Sequence, residues 1–388
     1  MILADGPIRK ALRAITVFGA CLLLAACNLG IPGGTAGPRV GADAVNVALL
    51  VPYGSPAAGD DLVARSLEQA ARLSASDVTD VSVGITVYQT AGSPAQAATV
   101  AEQAIREGAD IIVGPLRSDA AAAVSVAARG RLNVLSFSNN TEIAGGNVFV
   151  LGNTFSSTAL RLVNYAASQG RSRVVILHAQ NLAGEIARDA VLEALPFAGS
   201  SLAGVVPYEF SASGVVDILP VVMETIRENE ADTLFITSDT TGALPLFAQL
   251  LPENGLDVTE VQMIGMTRWD TPPQTLELSG LQGGWFVLPD PNASASFEGR
   301  YTSTYGEPPH VLAGLSYDAI QIVAATARRS GQLGSSDLST TPGVNGANGV
   351  FRLNADGTNT RALAVAEVID SQVSIRDPAA GLSATTGF

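Results

Sequence analysis

The chain has 388 residues, 22 Lys and Arg against 36 Asp and Glu, and a formal net charge of −14. At 47% hydrophobic and 15% charged it is too apolar for a disordered chain, and its length suits two domains. The acidic balance argues against nucleic acid, whose binders must supply cations to displace counterions; Lys10 is the only lysine. The two cysteines, Cys21 and Cys27, both lie near the start, and the two histidines are His178 and His310. This excludes a disulfide framework, a cysteine-rich zinc site and a histidine-rich metal centre, so no metal and no cofactor is expected.

Arg9, Lys10 and Arg13 form a positive start, residues 14–26 are uncharged and mostly apolar, and Ala25 and Ala26 precede Cys27. This run is too short to span a bilayer, which takes about 20 apolar residues, and it reads as an export signal over 1–26. Its removal would discard Cys21 and, by taking three basic residues and one acidic, change the net charge from −14 to −16. Residues 27–44 are rich in Gly, Pro and Ala without periodicity, as in a flexible tether.

From there strand-like and helix-like segments alternate. The apolar run 47–51 predicts a strand buried on both faces. Residues 60–74 predict an amphipathic helix, 83–88 a strand, and 94–107 a helix with Ala97, Val100, Ala101, Ala104 and Ile105 on one stripe. Ser93 suits the N-cap of that helix, Pro94 its first turn and Gly108 its end. Strand 110–113, helix 119–129 and strand 132–137 complete a first series. A second runs through helix 156–169, strand 173–178, helix 184–195, strand 204–210, helix 216–228, strand 232–237 and helix 241–251. Such alternation means right-handed βαβ units and parallel sheets. The expected fold class is therefore α/β, with two doubly wound Rossmann-like lobes. Residues 349–353, a turn at 354–357 and residues 361–369 read as a hairpin-like ending.

The order of landmarks carries a resemblance. Val47-Ala-Leu-Leu-Val-Pro-Tyr53 opens the body. Gly108-Ala-Asp-Ile-Ile-Val-Gly-Pro-Leu116 and Asn133-Val-Leu-Ser-Phe-Ser138 follow. Phe297-Glu-Gly-Arg-Tyr-Thr-Ser-Thr-Tyr-Gly306, Tyr317-Asp-Ala-Ile320 and Gly349-Val-Phe-Arg-Leu-Asn-Ala-Asp-Gly357 close it. Over about residues 45–370 this resembles the type I periplasmic binding proteins of the leucine/isoleucine/valine-binding class. The resemblance implies two lobes joined by a three-strand hinge, with lobe 1 formed by 45–155 plus 283–333 and lobe 2 by 156–282 plus 334–388. Leu24-Ala25-Ala26-Cys27 resembles the bacterial lipobox, which implies lipidation of Cys27 and attachment to the membrane through that anchor only. Asn28, where an Asp would retain a lipoprotein in the inner membrane, implies a periplasmic protein on the inner leaflet of the outer membrane.

In open α/β sheets ligands sit at the carboxyl ends of the strands, here near 51–55, 114–118, 136–139, 238–241 and 265–269. Exposed amides at a helix start favour an anion, and Ser118 stands where the next helix begins. The expected ligand-binding residues are Tyr53, Arg117, Ser118, Ser136, Ser138, Asn139, Thr267, Arg268 and Trp269. The serines also suit plain N-capping and turn chemistry, and Trp269 equally suits a packing role. The resemblance implies a Glu, pairing with the ligand's ammonium, where this chain has Thr267. A small anionic or polar ligand is therefore expected rather than a standard α-amino acid. No nucleophile elbow, Ser-x-x-Lys, His-Glu-x-x-His or phosphate loop is present, so no enzyme is expected. Cys27, Asn28 and the missing Glu also resemble the penicillin-binding protein activators, a lipoprotein branch of this superfamily. That branch implies a peptidoglycan synthase as partner; the alternative is an ABC permease, with the chain as the substrate-binding lipoprotein of an importer.

Overall fold

The computed structural model describes residues 44–379 and 382. The expected signal at 1–26, Cys27 and residues 28–43 of the tether lie outside the described residues; Ala44 already pairs with Ser82 in the first strand.

Lobe 1 is built on a five-stranded parallel sheet. Its strands are β1 (Ala44–Val51), β2 (Ser82–Gln89), β3 (Ile111–Val113), β4 (Val134–Ser136) and β5 (Val148–Val150), in the order β2-β1-β3-β4-β5. The helices α1 (Asp60–Asp77), α2 (Pro94–Arg106) and α3 (Ser118–Ala128) connect them. Val47, Leu49 and Val51 enter one core with Leu67 and Ile320, whereas Ala48 and Leu50 enter the other with Val100 and Ala104. That two-sided burial is why β1 reads as an unbroken apolar run. Ser93 caps α2 by accepting a hydrogen bond from the Gln96 amide, and Pro94 fills its first turn.

Lobe 2 carries α4 (Phe155–Ser168), β6 (Arg173–Ala179), α5 (Leu182–Ala194), β7 (Ser201–Tyr208), α6 (Ala212–Glu228), β8 (Thr233–Ile236), α7 (Leu244–Glu253) and β9 (Gln262–Gly265). Its seven-stranded sheet has the order β15-β14-β10-β9-β8-β6-β7, where β10 is Trp285–Pro289, β14 Leu363–Ile369 and β15 Gln372–Asp377. The strands β6 to β10 pair in parallel, while β14 and β15 join antiparallel. The architecture is the two-lobed α/β class expected.

The lobe boundaries differ from 283–333 and 334–388. β10 lies in lobe 2, because Phe286 and Leu288 enter one lobe 2 core and Trp285 and Val287 the other. The chain returns to lobe 1 at α8 (Pro291–Tyr305), α9 (Ala313–Ser330) and α10 (Ser335–Thr340), and stays there through a small antiparallel sheet. That sheet is β11 (Val344–Gly346), β12 (Gly349–Leu353) and β13 (Asn359–Arg361), and Phe351 and Leu353 lie in the lobe 1 core. The expected hairpin is split: β12 pairs with β13, whereas β14 pairs with β10 in the other lobe. The chain thus passes between lobes three times, after β5, after β10 and after β13.

These passages are tied together. Asn359 Nδ2 donates to the carbonyls of Val150 and Gly152 at 3.0 and 2.9 Å. The Val150 amide donates to the Gly357 carbonyl at 2.9 Å and the Asp290 amide to the Asn348 carbonyl at 3.3 Å. Arg361, 5% exposed, ends β13 with Nη1 2.6 Å from Asp318 Oδ2, Nη2 3.3 Å from the Leu151 carbonyl, and its guanidinium over the Phe351 ring. The second oxygen of Asp318 accepts the Ala347 amide at 2.6 Å. Truncating one member of a buried ion pair strands the other charge, so Arg361→Leu is expected to cost about 3–5 kcal/mol. Chemical denaturation of the variant checks this; a loss under about 1 kcal/mol, the range of an exposed pair, would contradict the anchoring role of Arg361.

Candidate functional site

Between the lobes lies a cleft of about 770 Å³. Lobe 1 lines it with the segments Leu116–Asp119 and Phe137–Asn140, with Gly152 and Asn153 at the first crossing, and with Val311, Leu312, Leu315 and Asn348. Lobe 2 contributes Arg268 and Thr271, and Pro289 stands at the second crossing. These lobe 1 segments follow the carboxyl ends of β3 and β4, where an open parallel sheet presents its ligand site.

The backbone that shapes the lobe 1 wall is tightly constrained. Gly114 has φ +90°, and a Cβ there would meet the Leu50 carbonyl oxygen at 2.2 Å. Only glycine allows the chain to turn so close under β1. The turn delivers Ser118 as the first residue of α3, whose N-cap residue Arg117 makes no side-chain capping bond. Ser118 and Asp119, in its first turn, line the cleft, so the positive end of the helix dipole lies beside it. Asp119, which also lines the cleft, folds its Oδ1 back onto the Ala120 amide at 2.7 Å.

Two arginines reach the cleft already paired. Arg117 Nη2 lies 2.9 Å from Asp60 Oδ2. Burial would raise the Asp60 carboxyl, but hydrogen bonds with Ser55 and Arg117 outweigh it and hold the pKa below the ordinary range. Arg268 is held by a two-pronged bond to Asp270, Nε to Oδ1 at 2.9 Å and Nη2 to Oδ2 at 2.5 Å. That hydrogen bonding raises the Arg268 pKa further. Both side chains stay partly open, 37% and 45% exposed, so each offers remaining donors to a ligand.

Of the residues expected from sequence, the cleft brings together Arg117, Ser118, Ser138, Asn139 and Arg268. The others stand elsewhere. Tyr53 donates to Glu68 Oε2 at 3.0 Å, and burial together with that carboxylate pushes its pKa up to about 12. Ser136 is fully buried; its hydroxyl donates to the Pro115 carbonyl at 3.1 Å and accepts the Ser138 amide at 3.2 Å. It shapes the wall without touching the opening. Thr267 turns away, its hydroxyl 3.4 Å from the Ser238 carbonyl.

Trp269 is the clearest correction. It is 0% exposed and belongs to the lobe 2 core, tilted against Phe286. Gly265 and Gly284 make the slot that admits it: a Cβ on either would come within 2.2 and 2.4 Å of the indole. Asn153, Thr271 and Asn348 line the cleft without having been expected. The sequence does not mark Asn348, since a lone Asn in a turn carries no signal of its own and the resemblance places residues 334–388 in the other lobe. His178 is buried with Nδ1 3.1 Å from the Ala179 carbonyl oxygen, and burial lowers its pKa. Among the described residues there is no cluster of three metal-ligating side chains, and no helix is long and apolar enough to cross a membrane.

This cleft between two doubly wound lobes is the ligand-site geometry of a type I periplasmic binding protein. A model of the periplasmic binding protein family matches residues 44–372, and the chain belongs to that family. The family implies a periplasmic location. The chain is similar in structure to a putative branched-chain amino acid ABC transporter protein from Rhodospirillum rubrum, with TM-score 0.72 and 17% identity over 86% of this chain and 99% of that one. It is also similar to a leucine-, isoleucine-, valine-, threonine- and alanine-binding protein from Brucella ovis in its closed conformation. There the TM-score is 0.64 and the identity 16%, over 88% of this chain and 95% of the other. At these identities the likeness is one of fold. No curated protein matches the chain.

The assignment of Trp269 to the core rather than the cleft predicts the behaviour of two variants. Trp269→Ala is expected to cost about 3–5 kcal/mol, the range for emptying a large aromatic site. Asn139→Ala, at the cleft surface, is expected to stay within about 0.5 kcal/mol of the parent. Denaturant melts of the two proteins decide it, and equal stabilities would overturn the assignment.

Proposed function

We propose that this chain is a non-enzymatic, lipid-anchored envelope receptor whose lobes close on a small polar or anionic solute. The observation that carries this reading is the cleft itself, lined from both lobes, with the start of α3 on one wall and Arg268 on the other. Ser118, Ser138 and Asn139 would hold the solute on lobe 1 and Arg268 would meet it from lobe 2 as the cleft closes. Arg117, tied to Asp60, would shape the edge of the site. The lipobox at Cys27 supports anchoring to a membrane; a permease partner needs that anchor in the inner membrane, whereas the outer-membrane sorting that Asn28 supports goes with the second reading below.

The open cleft favours an ABC permease as the partner that reads the closed form. The reading as a penicillin-binding protein activator, with a peptidoglycan synthase as partner, rests on a different observation. Among the described residues, the lobe 2 lining of the cleft, Arg268 and Thr271, holds no carboxylate for an ammonium group; Thr267 bonds to Ser238 and Asp270 is engaged by Arg268. A cleft that has lost its amino-acid contact suits a module kept for protein contact.

Thermal shifts against amino acids, organic acids and sugars test the receptor. A ligand at a hundred times its Kd adds about 2.7 kcal/mol, a shift of several degrees. An organic anion is expected to produce it and Leu or Ile to produce none; Arg268→Gln is expected to cut affinity at least tenfold. Stabilisation by Leu that survives in Arg268→Gln would refute the proposed ligand class. Co-purification of the anchored protein with a permease or with a peptidoglycan synthase separates the two partners. Membrane fractionation of Asn28→Asp checks the sorting step: the variant is expected to move to the inner membrane, and unchanged fractionation would count against it.

A further inference from the structure

Part of the lobe 1 wall is held by a histidine that does not itself line the cleft. Val311, Leu312 and Leu315 line it, and His310 stands immediately before them. The ring of His310 accepts the Leu312 amide at Nδ1, 3.2 Å away. A nitrogen that accepts carries no proton, so this bond exists only in the neutral imidazole with its proton on Nε2.

The backbone around that ring is fixed. The His310 amide donates to Ser66 Oγ at 2.8 Å, and the His310 carbonyl accepts the Ala313 amide at 2.8 Å. Ser66 is buried on α1, and its hydroxyl lies 3.0 Å from that of Tyr301 on α8. Leu312 is the N-cap residue of α9 and makes no side-chain capping bond. Its carbonyl accepts the Leu315 amide at 3.1 Å, and its own amide is the group that the imidazole holds. The ring thus fastens the entry to α9, where two of the cleft-lining residues stand.

Protonation makes Nδ1 a donor facing another donor, and the bond is lost. The surrounding elements offer no counter-charge to the ring. α1 brings Ser66, α8 brings the Tyr301 phenol, and the first turn of α9 is apolar. Arg65 and Glu307 act on Tyr301, whereas on His310 burial acts alone and lowers its pKa from the ordinary value. A histidine lowered in this way contributes fully above its unfolded value of about 6.5 and loses that contribution as the pH falls through the lower folded value. The ring is only partly buried, so protons reach it.

We propose that His310 is a proton-operated positioning residue of the cleft: the neutral ring holds Leu312 and the adjoining Val311 in place, and the protonated ring releases them. The consequence for the solute, weaker binding at acid pH, rests on the receptor reading; the switch itself belongs to lobe 1 alone.

NMR of the full chain tests the switch without any solute. At about pH 7.5 the His310 ring, assigned by the signal lost in His310→Asn, is expected to be neutral with its proton on Nε2. Hydrogen exchange of the Leu312 amide, corrected for its intrinsic rate, reads the wall directly. Its protection is expected to fall about fivefold or more between about pH 7.5 and pH 5, while the Ile322 amide inside α9 stays protected. An Asn side chain bonds the amide two residues on at any pH, so His310→Asn is expected to keep the protection and lose its pH dependence. His310→Ala is expected to lack the protection throughout. A ring protonated on Nδ1 at neutral pH, protection that is constant in the parent, an equal fall in His310→Asn or at Ile322, or full protection in His310→Ala would each overturn the proposal. Such a failure bears on His310 and leaves the cleft reading standing, because no solute enters the measurement.

Discussion

The pair formed by Arg361 and Asp318 is the constraint on which the two-lobed arrangement turns. Both side chains are essentially excluded from water, 1% and 0% exposed. A charge in such a place is tolerated only where an opposite charge and further hydrogen bonds replace its hydration. Arg361 finds the opposite charge in Asp318 on α9 and a further acceptor in the Leu151 carbonyl at the first crossing, with the Phe351 ring against its guanidinium and its Nε left without a partner. Two residues later Leu363 pairs with Pro289 in the other sheet. The passage between lobes is therefore confined to a single residue, Ala362, whose amide is still bound to the Val350 carbonyl.

The same anchoring determines what can move. Asn359 and Arg361 bind the first crossing to the third, and Asp290 lies against Asn348 beside the second. The three passages form one connected strip, and the cleft lies beside it with walls from both lobes. A rotation of one lobe about this strip changes the width of the cleft. Hinged closure of this kind absorbs backbone change in a few terminal residues while the packed lobes stay rigid.

The cleft walls themselves are set by packing against the sheets. Gly114 brings the turn under Leu50, and Ser136 ties the Pro115 carbonyl to the Ser138 amide. Neither residue reaches the opening as a polar contact, yet together they place Ser118, Ser138 and Asn139. On the other side Trp269, wedged at Gly265 and Gly284, fixes the loop that presents Arg268. The residue adjacent in sequence is thus a structural wedge, while its neighbour is the one that faces the opening.

Local chemistry settled much of this protein in advance. The apolar run of β1, the stripe on α2 and its Ser93 and Pro94 start follow from burial on two faces, from 3.6-residue periodicity and from capping. That the loops after β3 and β4 line the cleft is legible in the sequence, because strand ends in parallel sheets open onto such crevices. Long-range partners decided the rest. β10 and β12 are short apolar strands of the same character, and only their neighbours, β9 and β14 for one and the lobe 1 core for the other, assign them to different lobes. Arg361 and Asp318 are separated by 43 positions, and nothing local marks them as partners. Trp269 and Arg268 are adjacent, and which of them packs and which faces the cleft depends on two glycines that enclose the indole only after the sheet has formed. Periodicity and capping act over a few residues and are written in the chain; burial of a particular side chain depends on which distant surface comes to cover it.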